Sequence, residues 1–252
     1  MGIRLLSKLA SNGSIFTTAD ARRIWGTKDS VTRVLLSRLS ESGRIERLEK
    51  GKYILIPLGA EKGKYTLHEF VLASMLVHPY AIAYWSALHH HGLTDQMPST
   101  VFIQTTGRTK RLEREMAGVR YRVIRISGRK FFGEKQEWLE GMNVNITDPE
   151  KTIIDCLDKV RYSGDLIDVG SAIGTGKLNA DRLIDYARRV GSSAVLRRLG
   201  FFCRFAGIEI PRPKPMPRNY IPLDPGIPPA GKKDPTWRII VNMDIRELEE
   251  MH

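Results

Sequence analysis

The sequence predicts an α+β protein: a unit of three helices and a hairpin at the N-terminus, then a larger, mostly helical domain with a small β-sheet. Three observations carry that expectation. The apolar period switches from helical to strand-like between residues 42 and 44. Lysine and arginine crowd the same region, 13 against 6 acids in residues 1–64. Later stretches show apolar stripes at helical spacing, with strand-like runs only at 100–105, 120–126 and 237–241.

Each element has a local reason. Residues 2–10 place Ile3, Leu6, Leu9 and Ala10 on one helical face, and Asn12-Gly13 ends it. Thr17 caps a second helix, Asp20 sits in its positive first turn, and Ala21, Ile24 and Trp25 form its apolar face. Gly26 breaks that run, Thr27 can cap a third helix, and Gly43 supplies its left-handed stop. On this third helix Val31, Val34, Leu35 and Leu39 read as the inward face, so Lys28, Ser30, Thr32, Arg33 and Ser37 point largely outward. Residues 44–56 then alternate around a Glu49-Lys50-Gly51 turn, as a β-hairpin does. Helix, turn, helix and basic hairpin in this order make a winged helix-turn-helix over residues 1–60. The period changes abruptly because a recognition helix runs straight into its wing.

A polar, Gly-containing linker at 57–64 leads to a second domain, 65–252, with helices expected at 66–77 and 82–91. Asp148 followed by Pro149 is a strong helix start, with Ile153, Ile154, Leu157 and Val160 as the buried stripe. Further helices are expected at 166–173, 180–190 and 193–202. Nine of the thirteen prolines lie in 211–235, so the tail from about 209 reads as extended structure ending in a strand at 237–241.

Composition bounds the function. With 42% hydrophobic and 27% charged residues, the 252-residue chain has the profile of a soluble globular protein. It contains no apolar run of the ~18 to 20 residues a membrane span needs, so a cytoplasmic protein without a membrane partner is expected. Cys156 and Cys203 suggest neither a disulfide framework nor a zinc site. The net charge of +12 is of the kind that attracts nucleic acid and anionic membrane alike, and its concentration in the first quarter of the chain matters more than its size. Arg108, Lys110, Arg111, Arg114, Arg120 and Arg122 form a possible second basic surface, for nucleic acid or for a protein.

Catalytic signatures are missing. In His89-His90-His91, adjacent helical residues point about 100° apart, which is not the spacing of helical metal ligands. Gly174-Thr175-Gly176-Lys177 resembles the end of a phosphate loop, but Ser171 stands where its first glycine belongs and Leu178 follows the lysine. The chain has no Asp-x-Asp, Asp-x-Lys or Glu-x-Lys, and no G-x-S-x-G elbow. Asp148 and Asp155 read as cap and ion-pair partners of Lys151 and Arg161, with Asp158 on the face of Asp155. No catalytic residue, metal or cofactor is expected.

The outward residues of the third helix suit a major groove, where Arg33 reads guanine and serine or threonine donates or accepts. Arg47, Lys50 and Lys52 of the hairpin would meet phosphates or the minor groove. Four segments then show a family likeness: Gly51-Lys52-Tyr53-Ile54-Leu55; Ala83-Tyr84-Trp85-Ser86-Ala87-Leu88-His89 with His91-Gly92-Leu93; Ile146-Thr147-Asp148-Pro149-Glu150-Lys151-Thr152 running into Asp155; and Tyr220-Ile221-Pro222-Leu223-Asp224-Pro225. Together they resemble the AbiEi-type antitoxin family of type IV toxin–antitoxin and abortive-infection systems. The resemblance covers most of the chain, but only part of the Pro-rich tail.

It implies a repressor that binds double-stranded DNA at inverted repeats in its own operator. Its C-terminal domain would counter a nucleotidyltransferase-like toxin, with no direct contact required. Ser86, His89, Asp148 and Glu150 match family motif positions and read as caps and core hydrogen-bonding groups. Two alternatives stay open: a metal-dependent nucleic-acid-processing enzyme targeted by the winged helix, and a regulator that senses a small molecule near residues 85–91.

Overall fold

The computed structural model describes residues 2–10, 15–56, 68–109, 111–116, 118–140, 142–175 and 177–250, with side chains from residue 6 onward. The expected linker at 57–64, the Asn12-Gly13 stop and Lys110 lie outside them. Two units emerge. One comprises Met1–Leu76, Glu115–Val119 and Glu137–Val144, the other Val77–Arg114, Arg120–Gln136 and Asn145–His252.

The first unit begins with α1 (Gly2–Ala10), β1 (Ile15–Thr17), α2 (Thr18–Trp25) and α3 (Asp29–Glu41), followed by the strands β2 (Ile45–Glu49) and β3 (Lys52–Leu55). Thr17 and Asp20 form a reciprocal capping box that starts α2, and Gly26 (φ +64°) and Gly43 (φ +66°) take the left-handed conformation past α2 and α3. The short β1 was not foreseen. It adds to the hairpin in the antiparallel order β1-β3-β2, with Phe16 stacked on Tyr53 at 5.8 Å. Leu9, Phe16, Ala21, Leu36, Leu39 and Ile45 make the core.

The phase of α3 differs from the expected one. Thr32, Leu36 and Leu39 face inward, while Val31 and Val34 are exposed. Thr32 tolerates full burial because its hydroxyl donates to the Lys28 carbonyl at 3.0 Å and meets the Thr27 hydroxyl at 2.7 Å. Thr27 is thereby spent on Thr32, and Lys28 stands at the N-cap with no side-chain cap bond. The helix α4 (Glu69–Ala73) is shorter than the expected 66–77, since residues 74–76 turn away.

The chain then runs through β4 (Ala81–Ile82), α5 (Tyr84–His90), β5 (Thr100–Thr105), β6 (Glu113–Met116), β7 (Val119–Arg125), β8 (Glu134–Leu139) and β9 (Met142–Thr147). A strand thus occupies the start of the helix expected at 82–91. The six strands form a mixed sheet in the order β6-β7-β5-β4-β9-β8, larger than anticipated. The helices α6 (Pro149–Asp158), α7 (Leu166–Gly174), α8 (Ala180–Val190) and α9 (Ser193–Cys203) follow, close to the expected bounds. Asp148 caps α6 by accepting from the Lys151 amide at 2.8 Å, with Pro149 in the first turn. Both cysteines are buried and free of disulfides; burial pushes the Cys203 thiol up to about 12.

The tail holds a three-stranded sheet, β10 (Ile221–Pro222), β12 (Ile239–Val241) and β11 (Lys232–Asp234) in that order, and ends in the short α10 (Arg246–Glu249). Two buried arginines of α9 fasten it. Arg197 donates to the carbonyls of Trp237 and Asn219, both at 2.8 Å, and of Arg238; Arg198 reaches those of Leu223 and Pro222. The six-membered ring of Trp237 sits against Gly200, where any side chain would collide with it. Among the described residues no helix is long and apolar enough to cross a membrane.

Candidate nucleic-acid interface

In the first unit α2, α3 and the β2–β3 hairpin enclose an open groove of about 790 Å³. Its walls carry Arg22 from α2, Arg33 and Ser37 from α3, and Arg47 and Lys50 from the hairpin; Asp29 is the one acid on them. Local geometry holds this frame together. Gly51, at φ +78°, closes the hairpin turn, and its carbonyl accepts from the Thr18 amide at 2.9 Å, joining the hairpin tip to the first turn of α2.

The residues expected to read DNA fall into two groups. Lys28, Ser30, Arg33, Ser37, Arg47 and Lys50 are exposed. Arg33 forms an ion pair with Asp29 at 2.8 Å, Ser37 donates to the Glu41 carboxylate at 2.8 Å, and Arg47 donates to the Glu49 carbonyl at 3.3 Å. Thr32 and Lys52 do not join them. Thr32 is buried, and Lys52 turns back to pair with Glu49 at 2.5 Å and to donate to the Met75 carbonyl. The bulge between Arg47 and Glu49 sets Glu49 opposite Lys52, the register in which the two side chains pair. Arg22 was missed. Its signal was its place beside Ala21, on a flank of α2 away from the buried face.

The second basic segment is largely engaged in its own unit. Arg122 pairs with Glu113 and sits over the Tyr162 ring at 5.9 Å, Arg120 donates to Ser99 at 3.1 Å, and Arg114 donates to Thr109 at 3.4 Å. Arg108 and Arg111 are exposed.

The motif residues of the second unit serve its framework. Ser86 accepts from the Phe102 amide at 2.9 Å and donates to the Thr100 carbonyl at 3.3 Å. Asp148 also takes Arg182 at 2.5 Å and the Tyr186 hydroxyl at 3.0 Å; Glu150 accepts from the Asn179 amide at 3.0 Å. Asp155 pairs with Lys151 and not with Arg161, whose guanidinium lies over Tyr162, and Asp158 pairs with Lys130 at 2.7 Å. Of the three histidines, His91 contacts the Thr147 carbonyl at 2.7 Å, while the buried Nδ1 of His89 has no partner among the described residues.

Comparison with known families adds one finding. Residues 4–56, which span α1 to β3, match the sequence model of a family described as a transcriptional regulator, AbiEi antitoxin. No curated protein matches the chain.

Proposed function

We propose that the first unit is a winged helix-turn-helix that binds operator DNA, and that the chain is an autorepressing antitoxin of a type IV toxin–antitoxin operon. In this reading residues 1–60 bind DNA, and residues 65–252 counter a nucleotidyltransferase-like toxin without obligatory contact. The family matched at residues 4–56 supports regulation over catalysis. So do the commitments of Asp148, Asp155 and Asp158, the acids clustered around α6, to Arg182, Lys151 and Lys130.

The observation that carries the reading is the groove with Arg22, Arg33, Arg47 and Lys50 on its walls. α3 enters the major groove, and the hairpin follows the adjacent backbone. Arg33 must leave Asp29 to reach a base, but both side chains are well exposed, and such pairs contribute only about 0.3–0.5 kcal/mol. A bidentate contact with guanine is worth about 1–3 kcal/mol, so the exchange favours DNA. Lys50 and Arg47 neutralise phosphates and supply salt-sensitive affinity without sequence preference.

Fluorescence anisotropy of the full chain with the DNA upstream of its own coding sequence, titrated at several salt concentrations, tests this. Arg33→Ala is expected to lose the preference for that DNA over a scrambled duplex. Lys50→Ala should weaken both duplexes alike and reduce the log–log salt slope by about 0.9. Lys52→Ala should leave the slope unchanged, because Glu49 already neutralises it. Wild-type binding by both Arg33→Ala and Lys50→Ala would refute the assigned surface.

A further inference from the structure

Among residues 15–56, the large apolar side chains left exposed are Val31 and Val34, at 46% and 50%. They stand three residues apart and are neighbours on the outer surface of α3. At about 100° per residue, Ser30, Val34 and Ser37 fall within roughly 60° of one another. Arg33 flanks them on the groove side, and Arg38 lies beside Val31 on the other.

Neither packing nor helix propensity accounts for the two valines. The core side of α3 is filled by Thr32, Leu36 and Leu39, and a β-branched residue is a poorer helix former than the lysine, glutamate or alanine that an idle surface position would tolerate. An apolar pair on this face calls for an apolar partner. Charge and size choose between the candidates. Lys28 and Arg38 stand one or two turns from the pair on its own side of the helix, Arg33 lies on its groove-side flank, and Glu41, held by Ser37, is the acid of this stripe, a net cationic setting beside a cationic groove and complementary to a polyanion. Two valines fall far short of the roughly 800 Å² per partner that a stable protein interface buries. They do match the thymine 5-methyl group, the apolar feature that a major groove displays.

We propose that Val31 and Val34 contact thymine methyl groups, so that α3 reads A·T pairs through apolar contact alongside the guanine contact of Arg33. The inference rests on the DNA-binding reading of α3 and adds a base class to it. The Ser30 hydroxyl leaves both hydrogen-bonding polarities open on that flank, with Ser37 turned to Glu41, whereas the valines reject a bare cytosine edge, whose amino group would lose its water without gaining an acceptor.

The test uses the full-length chain and duplexes that the wild type enriches from a randomised library. An enriched duplex is resynthesised with deoxyuridine in place of thymidine, one position at a time, which deletes the methyl and keeps every hydrogen-bonding group. Wild type is expected to bind about fourfold more weakly at one or two positions of the motif. The Val31→Ala/Val34→Ala chain should bind the two forms alike there. Both substitutions are at exposed helical positions and raise helix propensity, and circular dichroism confirms folding; Val34→Ser, which removes both γ-methyls, gives a second variant expected to lose the discrimination at its own position.

Equal binding of thymidine and deoxyuridine throughout an enriched motif overturns the inference and leaves DNA recognition standing. Failure to enrich any motif, with no salt-dependent affinity, removes the DNA-binding reading itself. If the double alanine chain changes its sedimentation mass while keeping the discrimination, the patch is a protein contact and the inference falls.

Discussion

Lys151 and Asp155, one turn apart on α6, form an ion pair with side chains 0% and 5% exposed. Two charges removed from water rarely recover the full cost of their desolvation, yet removing one of them strands the other. Asp155→Leu alone is therefore expected to destabilise the second unit by about 3–5 kcal/mol, and Lys151→Met/Asp155→Leu to recover most of that loss in a denaturant titration. The pair also marks the pH dependence. Burial raises the Asp155 carboxyl to about 6, outweighing the attraction of Lys151, against 3.8 for an ordinary aspartate. A carboxyl raised on folding stabilises fully below 3.8 and loses that contribution as pH rises through 6. The unfolding midpoint of wild type, compared with the double variant, should thus fall between pH 4 and pH 7. The partnership of Lys151 and Asp155 was legible from their spacing. The burial of Thr32 was not, because its internal acceptor, the Lys28 carbonyl, is a backbone atom that no side-chain pattern advertises.

Elements with complete local signals were legible with their bounds. α8 has Asn179 as its cap and the left-handed Gly191 as its stop, and β5 carries the β-branched and aromatic residues of a strand. β4 has two residues, both buried, too few to show any period. β8 is mostly exposed and strongly charged, as suits a sheet edge, and so shows no alternation. β9 could have been found: Met142, Val144 and Ile146 alternate with polar residues, and Val144 and Ile146 are fully buried. The proline-rich tail holds the expected strand, though over Ile239–Val241 and not the whole of 237–241, and a short helix that was not expected follows it; what fastens the tail came from α9, residues distant in sequence. Replacing Arg197 by Met leaves the carbonyls of Asn219, Trp237 and Arg238 without this donor, a loss on the order of 3 kcal/mol. Hydrogen exchange should then accelerate in residues 219–241 and stay at wild-type rates in α2 and α3. An unchanged tail would show that the sheet β10-β12-β11 holds without the arginine.

At the scale of the whole molecule, charge and family likeness point to the same region by independent routes. More than half of the net +12 belongs to residues 1–64, and the family match covers 4–56. The candidate site was legible there as a composition and an order of elements, but its exact membership depended on the rotation of α3 and on the hairpin bulge, which are fixed by packing. The bond between the Thr18 amide and the Gly51 carbonyl has a thermodynamic consequence. A loop that orders upon capture buries new apolar surface and gives binding a large negative heat-capacity change, whereas a hairpin already fastened to its helix adds nothing to that quantity. Calorimetry of the full chain with DNA should therefore return a heat-capacity change no larger than the interface's own apolar burial accounts for, with no added share from ordering the hairpin.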